Sequence, residues 1–548
     1  MNSLNFKGTN CQNCYKCIRK CPVKSIKFSN GQANLIEDEC ILCGSCVDVC
    51  LQRVTQMVDQ TEKVLDLLKS GNCTASIDPA FVGYFENVGF ENIKDALIQL
   101  GFSDVQETSI GARAVAKRYN EIVANKSFVI SSACPSVNLL IKKHFPTLID
   151  NLTPVETPFG AHAKIIKQDN PQAKIVYISP CLASVETSQR LADAVLPFNQ
   201  LARLFKNKGI TLAQTRKDVP NKQRSFAVHA GIIRNLERVD GCTYMAFSGP
   251  DNCVKVLREV VKKPIANCFL ELWSCADGCI GSVVMNDSAN SKLRRHQAVI
   301  ESATTNDCPL SKVNVDTVQT RIGMEAPVPT TAQIKDMLKK MGKFKAVDHL
   351  NCGACGYNTC AEKAIAILQG KAEMSMCMPY LALSAQRFSD AVLDNTPNGI
   401  VVTNLQGEIL RINNSLAQMI GIKHRTPFIG QHFNKLMPCE VFDQVVQTGQ
   451  PVRDQLTYIA QYNKYFKISI AKNTKTQIYL IYVRDVNTST RIRLKKEETD
   501  KKTMEVADQV VDRQMRIVQE IALLLGETAA ETKVALAKLK ESISDENK

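Results

Sequence analysis

The chain has 548 residues, of which 45% are hydrophobic and 22% charged, and its formal net charge is +14. This length predicts three or four domains, each large enough to bury its own core. No apolar run is long enough to span a bilayer, and the start lacks the pattern of a secretory signal. The basic residues are dispersed and not interleaved with aromatics, so we expect neither nucleic acid nor a membrane as partner. We expect a cytoplasmic protein whose 22 cysteines bind metal rather than form disulfides.

The N-terminal segment, residues 1–58, contains eight cysteines in a repeated spacing. In each half, two residues separate each of the first three cysteines from the next, and three residues separate the third cysteine from the fourth. This is the run of two-cluster bacterial ferredoxins, in which the fourth cysteine of each half binds the other cluster. A zinc ribbon would need only two Cys-x-x-Cys pairs, and a disulfide framework would not repeat this order. The predicted ligands are Cys11, Cys14, Cys17 and Cys50 for one 4Fe-4S cube and Cys21, Cys40, Cys43 and Cys46 for the second.

Residues 70–310 alternate short apolar runs with helical patterns, which predicts an α/β domain with largely parallel sheets. The predicted strands are 75–77, 128–130 and 174–178, and the predicted helices include 91–100, 111–123 and 198–208. Two of these strands lead to a cysteine beside a proline, Cys134 and Cys181, and a later segment adds Cys275 and Cys279. Ligands gather at the carboxyl ends of parallel strands, so these thiols are candidate ligands of one site. Taken singly, each is more typical of a buried apolar filler.

A linker is predicted from Val313 to Pro329, including Ala326 and Pro327. A capping box at Thr330 then opens a helix that stops at Gly342. Residues 330–380 contain a third cysteine motif that resembles a compact 4Fe-4S motif of redox proteins from anaerobes. Its candidate ligands are Cys352, Cys355, Cys360 and Cys377. A zinc knuckle is the alternative.

Residues 385–487 alternate like a small sheet domain with a turn at Leu405 to Gly407. The stretch from Phe388 to Gly407 resembles the opening of a PAS sensor domain. The tail, residues 490–545, is predicted to be helical, with a break at Gly526 and a second helix after it. An apolar seam recurs every seven residues at Met504, Val511, Val518 and Leu525, which predicts a coiled coil that mediates homodimerisation or partner docking.

The segments around Cys134, Cys181 and the pair Cys275 and Cys279 resemble the three signature loops of the iron-only (di-iron) hydrogenases. The resemblance covers about residues 70–310. It implies that these four cysteines hold a 4Fe-4S cube and that Cys279 also bridges to a di-iron unit carrying CO and cyanide. The whole arrangement is most similar to the sensory branch of that family. The implied fold class is multidomain α/β and α+β, with a ferredoxin module, a hydrogenase-like α/β domain, a small iron–sulfur domain, a PAS domain and a helical tail.

Three positions depart from the active members of that family. The proton-relaying cysteine of the first loop is Ala133, which cannot exchange a proton. The lysine that binds a cyanide ligand is Ser184, and the methionine near the bridging CO is Trp273. The catalytic positions are Ala133, Ser184, Trp273 and Cys279. Of these, only the bridging cysteine Cys279 matches the active family members. We expect low hydrogenase activity, and the sequence leaves open whether the di-iron unit assembles.

These observations predict an iron–sulfur redox- or hydrogen-sensing signalling protein with four 4Fe-4S clusters. A soluble ferredoxin-like carrier would exchange electrons with the N-terminal cubes, and output would reach a downstream protein through the PAS domain or the tail. One alternative is a slow ferredoxin-linked hydrogenase with a regulatory PAS domain. The other is a non-enzymatic redox sensor that lacks the di-iron unit.

Overall fold

The computed structural model describes residues 4–6, 10–214, 218–323 and 328–545, without the side chains of 541–545. Ala326 and Pro327 of the predicted linker lie outside the described residues. The chain divides into two units, Met1–Leu381 and Ala382–Lys548. Within the described ranges, no helix combines the length and apolar character needed to cross a membrane.

The N-terminal module consists of two short antiparallel strand pairs and two short helices. Strand β1 pairs with β4, so the two ends of the module are joined. Strands β2 and β3 form a hairpin, and Asn30 and Gly31 at its turn both have positive φ, which is the conformation that Asn-Gly turns favour. The elements are β1 (Leu4–Phe6), α1 (Lys16–Lys20), β2 (Ile26–Ser29), β3 (Gln32–Leu35), α2 (Ser45–Val49) and β4 (Thr55–Met57).

The α/β domain contains two parallel sheets, which confirms the expected fold class. One sheet has the strand order β6-β5-β8-β9 and the other β10-β11-β7. The central strands are buried on both faces and rich in branched residues, as expected for parallel strands covered by helices. The strands are β5 (Cys73–Ile77), β6 (Asp104–Glu107), β7 (Phe128–Ile130), β8 (Lys174–Ser179), β9 (Ala194–Pro197), β10 (Thr243–Ser248) and β11 (Cys268–Trp273).

Ten helices cover these sheets in the described part of the domain. Helices α6 and α8 touch at Gly111, where an added Cβ would lie 2.2 Å from the Pro158 carbonyl oxygen and 2.6 Å from the His162 nitrogen. Only glycine fits this contact. The helices are α3 (Thr61–Lys69), α4 (Phe81–Tyr84), α5 (Phe90–Leu100), α6 (Ser109–Val123), α7 (Pro135–His144), α8 (Pro158–Asp169), α9 (Ser184–Thr187), α10 (Phe198–Lys208), α11 (Pro250–Lys262) and α12 (Lys292–Ser302).

The first part of the predicted linker is docked on the α/β domain. The Glu156 N–H donates to the Val315 carbonyl at 2.9 Å, and Arg118 forms an ion pair with Asp316 at 2.8 Å. The linker prediction was therefore wrong for this part, because backbone pairing with a distant loop leaves no periodic signal in the sequence. Beyond it lie α13 (Thr331–Lys340), α14 (Cys360–Leu368) and α15 (Met378–Asn395). The capping box at Thr330 is present as predicted.

The second unit contains a five-stranded antiparallel sheet with the order β13-β12-β16-β15-β14. Its core includes Val401, Phe466 and Ile481, and the last two are each followed along their strand by an exposed residue. The turn between β12 and β13 lies where the sequence predicts it. The elements are β12 (Gly399–Asn404), β13 (Ile409–Ile412), α16 (Asn414–Ile420), α17 (Phe433–Leu436), α18 (Glu440–Thr448), β14 (Val452–Ile459), β15 (Lys464–Asn473) and β16 (Ile478–Asp485).

The tail is one helix of 59 residues, α19 (Asn487–Asp545). The predicted break at Gly526 was wrong. A glycine inside a helix costs only about 1 kcal/mol relative to alanine, which a long run of good helix formers offsets.

Candidate metal centres

Four cysteines from three separate loops line one cavity in the α/β domain. We call this the inner cavity and these cysteines the inner set: Cys134, Cys181, Cys275 and Cys279. Ala133, Ser184 and Trp273 line the same cavity, so the structure brings together every position that the sequence singled out in this domain.

Strand ends position the inner set. Cys134 follows β7 and immediately precedes α7, whose first residue is Pro135. Cys181 follows β8, and Cys275 follows β11. Gly278 has φ +89°, and an added Cβ would lie 2.8 Å from the Ala227 carbonyl oxygen, so only glycine permits this loop. The inner cavity therefore lies at the carboxyl edges of both parallel sheets, where such sheets bind ligands.

The sulfurs of the inner set are in an environment that a free thiolate would not tolerate. Burial, followed by the neighbouring Cys181, raises the pKa of Cys134 to about 11. Burial also raises the pKa values of Cys275 and Cys279 well above the usual thiol range, and nearby acidic groups add to the effect. Buried thiolates need a cation, and bound iron would supply one. The residues present therefore fit a cluster held by four thiolates.

At the three positions that depart from the hydrogenase pattern, the side chain either interacts with a neighbouring residue or has no polar group. Ala133 presents only a methyl group. Burial raises the pKa of the Cys181 thiol, and the nearby Ser184 hydroxyl opposes that rise. The Trp273 indole N–H donates to the Glu271 carboxylate at 2.6 Å, and burial raises the pKa of Glu271 to about 7. None of the three positions therefore carries an acidic group that could relay protons.

The first N-terminal group of cysteines lines a second cavity, the outer cavity. This outer set consists of Cys11, Cys14, Cys17 and Cys50. Cys50 comes from the second half of the module, as the ferredoxin spacing predicts. The Val54 N–H donates to its sulfur at 3.3 Å, which is a contact that stabilises a cluster ligand.

The remaining N-terminal cysteines, the middle set, are packed together inside the module. They are Cys21, Cys40, Cys43 and Cys46. Burial and then Cys21 raise the pKa of Cys43 to about 12, so these sulfurs are close neighbours. Backbone N–H groups donate to Cys40 and to Cys21 at 3.3 Å. Cys43 also lines the inner cavity, so the middle set adjoins the inner set.

The third motif surrounds another cavity, the motif cavity. Its cysteines, the motif set, are Cys352, Cys355, Cys360 and Cys377. Across the described ranges, no three Cys, His, Asp or Glu side chains converge closely enough for a single metal ion. All 22 cysteines are free thiols. Four sulfurs around a cavity suit a cube better than the zinc knuckle that the sequence left open.

Four family models match separate parts of the chain. Residues 71–240 match "Iron only hydrogenase large subunit, C-terminal domain", and residues 3–51 match "4Fe-4S dicluster domain". Residues 348–379 match an Fe-S cluster model, and residues 387–451 match a PAS domain. The resemblance to the iron-only hydrogenases is confirmed. The chain combines an iron-only hydrogenase-like domain, iron–sulfur regions, a PAS domain and a long C-terminal helix.

Solved structures of the same kinds are similar to parts of the chain. A variant of FeFe-hydrogenase HydA1 from Chlamydomonas reinhardtii shares 15% identity over 46% of this chain and 91% of its own, with a TM-score of 0.37. The PAS domain of nitrogen regulation protein NR(II) from Vibrio parahaemolyticus shares 15% identity over 18% of this chain and 97% of its own, with a TM-score of 0.16. A search among curated proteins found no match.

Two charged residues of these hydrogenase-like and iron–sulfur regions were missed by the sequence reasoning. Asp78 follows β5 and lines the inner cavity, where it accepts a hydrogen bond from the Tyr177 hydroxyl at 3.0 Å. Its position at the end of a parallel strand could have identified it. Lys363 lines the motif cavity and stands three residues after Cys360 on α14. That spacing places both on one helix face and could have identified it.

Proposed function

We propose that the chain is a cytoplasmic redox- and hydrogen-sensing signalling protein of an anaerobe, built on an iron-only hydrogenase scaffold. Four 4Fe-4S cubes occupy the outer, middle, inner and motif sets, and a di-iron unit adjoins Cys279. The observation that carries this proposal is the inner cavity. Its four cysteines converge as a hydrogenase cluster needs, while Ala133, Ser184 and Trp273 supply no proton relay.

The di-iron unit, when bound, supplies the chemistry that interconverts hydrogen with protons and electrons. The chain's own residues hold it in a buried pocket but move protons poorly. The relay position is a methyl group at Ala133, and the indole N–H of Trp273 is held by Glu271. Slow turnover suits a sensor, because the redox state of the clusters then follows the surroundings without consuming much substrate.

Infrared spectroscopy tests this proposal on protein matured anaerobically with the hydrogenase assembly machinery. Metal-bound CO and cyanide absorb where protein does not, so we expect those bands together with weak hydrogen evolution. A Cys279→Ser variant should lack the bands. Fast turnover would favour the alternative of a working hydrogenase. Full iron loading of the cubes without the bands would favour the non-enzymatic redox sensor.

An open groove beside the outer set suits a soluble, acidic electron carrier. The groove is lined by Cys50, by three basic residues, Arg53, Arg203 and Lys206, and by two acidic ones, Asp48 and Asp287, so one net positive charge remains. Electrostatic attraction accelerates the encounter of oppositely charged proteins. Lys206→Glu should slow reduction by an acidic ferredoxin, and the difference should shrink at high salt. Lys208→Glu, on the same helix but away from the groove, should not. Equal rates for both variants would contradict this docking site.

The tail helix is the proposed route of output, by pairing with a second copy of the chain. Its seam residues Met504, Val511, Val518 and Leu525 are 70%, 58%, 56% and 63% exposed. A heptad seam along a helix of 59 residues suits a coiled coil. Val511→Lys with Val518→Lys should weaken self-association in sedimentation and leave iron content unchanged. Gln509→Lys with Leu523→Lys, which adds the same charge off the seam, should not. A wild-type protein that stays monomeric at high concentration would refute this role.

A further inference from the structure

The loop of the third motif is fastened to the N-terminal module by two basic side chains. Arg19 donates to the carbonyl oxygens of Gly353 and Ala354, both at 3.2 Å. The Lys24 ammonium donates to three carbonyls: Ile18 at 2.9 Å, Arg19 at 3.0 Å and Gly356 at 3.0 Å. Three donors with three acceptors satisfy this ammonium fully. The motif set is therefore held at a fixed place against the module.

Tyr357 lies between the motif set and the middle set. Its side chain is 3% exposed and packs in one apolar cluster with Ile18 and Cys21. Cys355 packs against the same cluster, so the Tyr357 ring contributes to the packing that joins the two sets.

The motif cavity is lined by two buried lysines: Lys343, which donates to the Asp348 carbonyl oxygen at 2.8 Å, and Lys363. Lys363 is 1% exposed, and its ammonium lies 2.9 Å from the Met376 sulfur and 5.4 Å from the centre of the Tyr357 ring. Among the described residues it forms no ion pair with a carboxylate. A buried ammonium without an anion is costly, so this lysine needs a negative partner. The motif set supplies four thiolates once it binds a cluster.

We propose that Lys363 stabilises the reduced form of the cluster held by the motif set and makes that cluster the preferred acceptor of electrons from the middle set. This inference rests on the proposed function, in which both sets hold 4Fe-4S cubes. Each cube carries net negative charge, and reduction adds one unit, which a nearby cation favours. One electron moves from the reduced middle cube to the oxidised motif cube, and no bond or proton changes. A reduced low-potential iron–sulfur carrier resupplies the electron.

A reductive titration followed by electron paramagnetic resonance tests this proposal. The signal that Cys352→Ser with Cys355→Ser removes belongs to the motif set. In the wild type, that signal should appear first as the potential falls. Lys363→Met should make its reduction about tenfold less favourable, which is about 59 mV for one electron. Lys340→Met, which removes an exposed lysine of the same region, should leave the midpoint unchanged.

Each outcome decides a different point. If the first signal to appear survives in the double serine variant, another set accepts electrons first and the proposal fails, even where Lys363→Met does not fold. If Lys363→Met titrates like Lys340→Met, the lysine does not tune the cluster. The adjacency of the middle and motif clusters is tested separately, because two neighbouring reduced clusters broaden each other's paramagnetic resonance signals. The double serine change should therefore narrow the signals of the clusters that remain. If the double serine change removes no iron, the cluster count of the proposed function is at fault.

Discussion

The inner set and the motif set each have four cysteines, but the charged side chains that line their cavities are acidic in one and basic in the other. Asp78 stands in the inner cavity, and Lys363 stands in the motif cavity. Burial raises the pKa of Asp78 to about 6, so at neutral pH it is mostly a carboxylate. A negative neighbour opposes the reduction of a cluster, whereas a positive neighbour favours it. Equal ligand sets therefore do not imply equal potentials.

The two cavities are also supported by different kinds of hydrogen bond. Buried hydrogen bonds between side chains support the walls of the inner cavity, such as the bond from the Tyr177 hydroxyl to Asp78 at 3.0 Å. The motif cavity is instead held by lysine and arginine donors to backbone carbonyls, including those of Gly353 and Gly356. Changes in acidity and in ligands should consequently affect the two cavities separately.

The largest expected effect is selective loss of iron. Fully loaded protein should hold about sixteen irons in cubes, before any di-iron unit is counted. Cys352→Ser with Cys355→Ser should remove about four irons and spare the inner set, while Cys134→Ser with Cys181→Ser should do the reverse. Iron and sulfide analysis of anaerobically reconstituted protein measures this. A loss spread over all sets, or zinc in place of iron, would contradict the separation of the two cavities.

A smaller effect is expected on hydrogen evolution, which only the inner cavity should support. Ala133→Cys restores a thiol at the relay position, and positioned acid–base groups accelerate reactions by about a hundredfold or more. The gain should be lower while Ser184 occupies the position of the lysine that binds a cyanide ligand. Ala133→Cys with Ser184→Lys should exceed the product of the single effects, because both act at one site. The rates are compared with a Cys279→Ser background, and no increase above it would favour the sensor without a di-iron unit.

The smallest effect concerns acid stability. His162 is buried and neutral between Ser76 and Gln106, and burial lowers its pKa from 6.5 to about 3. The unfolded chain binds this proton below pH 6.5, whereas the folded chain does not until near pH 3. The stabilisation is therefore complete above pH 6.5 and is lost as the pH falls. Between pH 7 and pH 5 the free energy of unfolding of the α/β domain should drop by about 2 kcal/mol.

The single tryptophan makes this measurement specific, because Trp273 lines the inner cavity. Its fluorescence during urea unfolding reports the α/β domain. His162→Gln keeps a neutral hydrogen-bonding side chain and should flatten the pH dependence. The paramagnetic resonance signal of the motif set should stay unchanged between pH 7 and pH 5. An equal decline in wild type and variant would show that other groups determine the acid sensitivity.

The sequence predicted local features well and distant packing poorly. The helix Phe198–Lys208 and the capping box at Thr330 were predicted correctly, because periodicity and caps are local signals. The convergence of the inner set followed from the rule for parallel strand ends. By contrast, Arg19 and Gly353 are 334 residues apart in the chain, and neither segment contains a local pattern that predicts their contact. The contact between the start of the predicted linker, at Val315, and the α/β domain was not predicted for the same reason.

The seating of Gly356 on Ile18 has a consequence for the order in which the protein is made. An added Cβ at Gly356 would lie 2.9 Å from the Ile18 side chain, so the third motif fits only a fully formed surface of α1. Ile18 is flanked by Cys17 and Cys21, which belong to the outer and middle sets. During synthesis the N-terminal module emerges first and can load iron early. We therefore expect maturation to be sequential, with a defect in the N-terminal cubes also leaving the third motif empty.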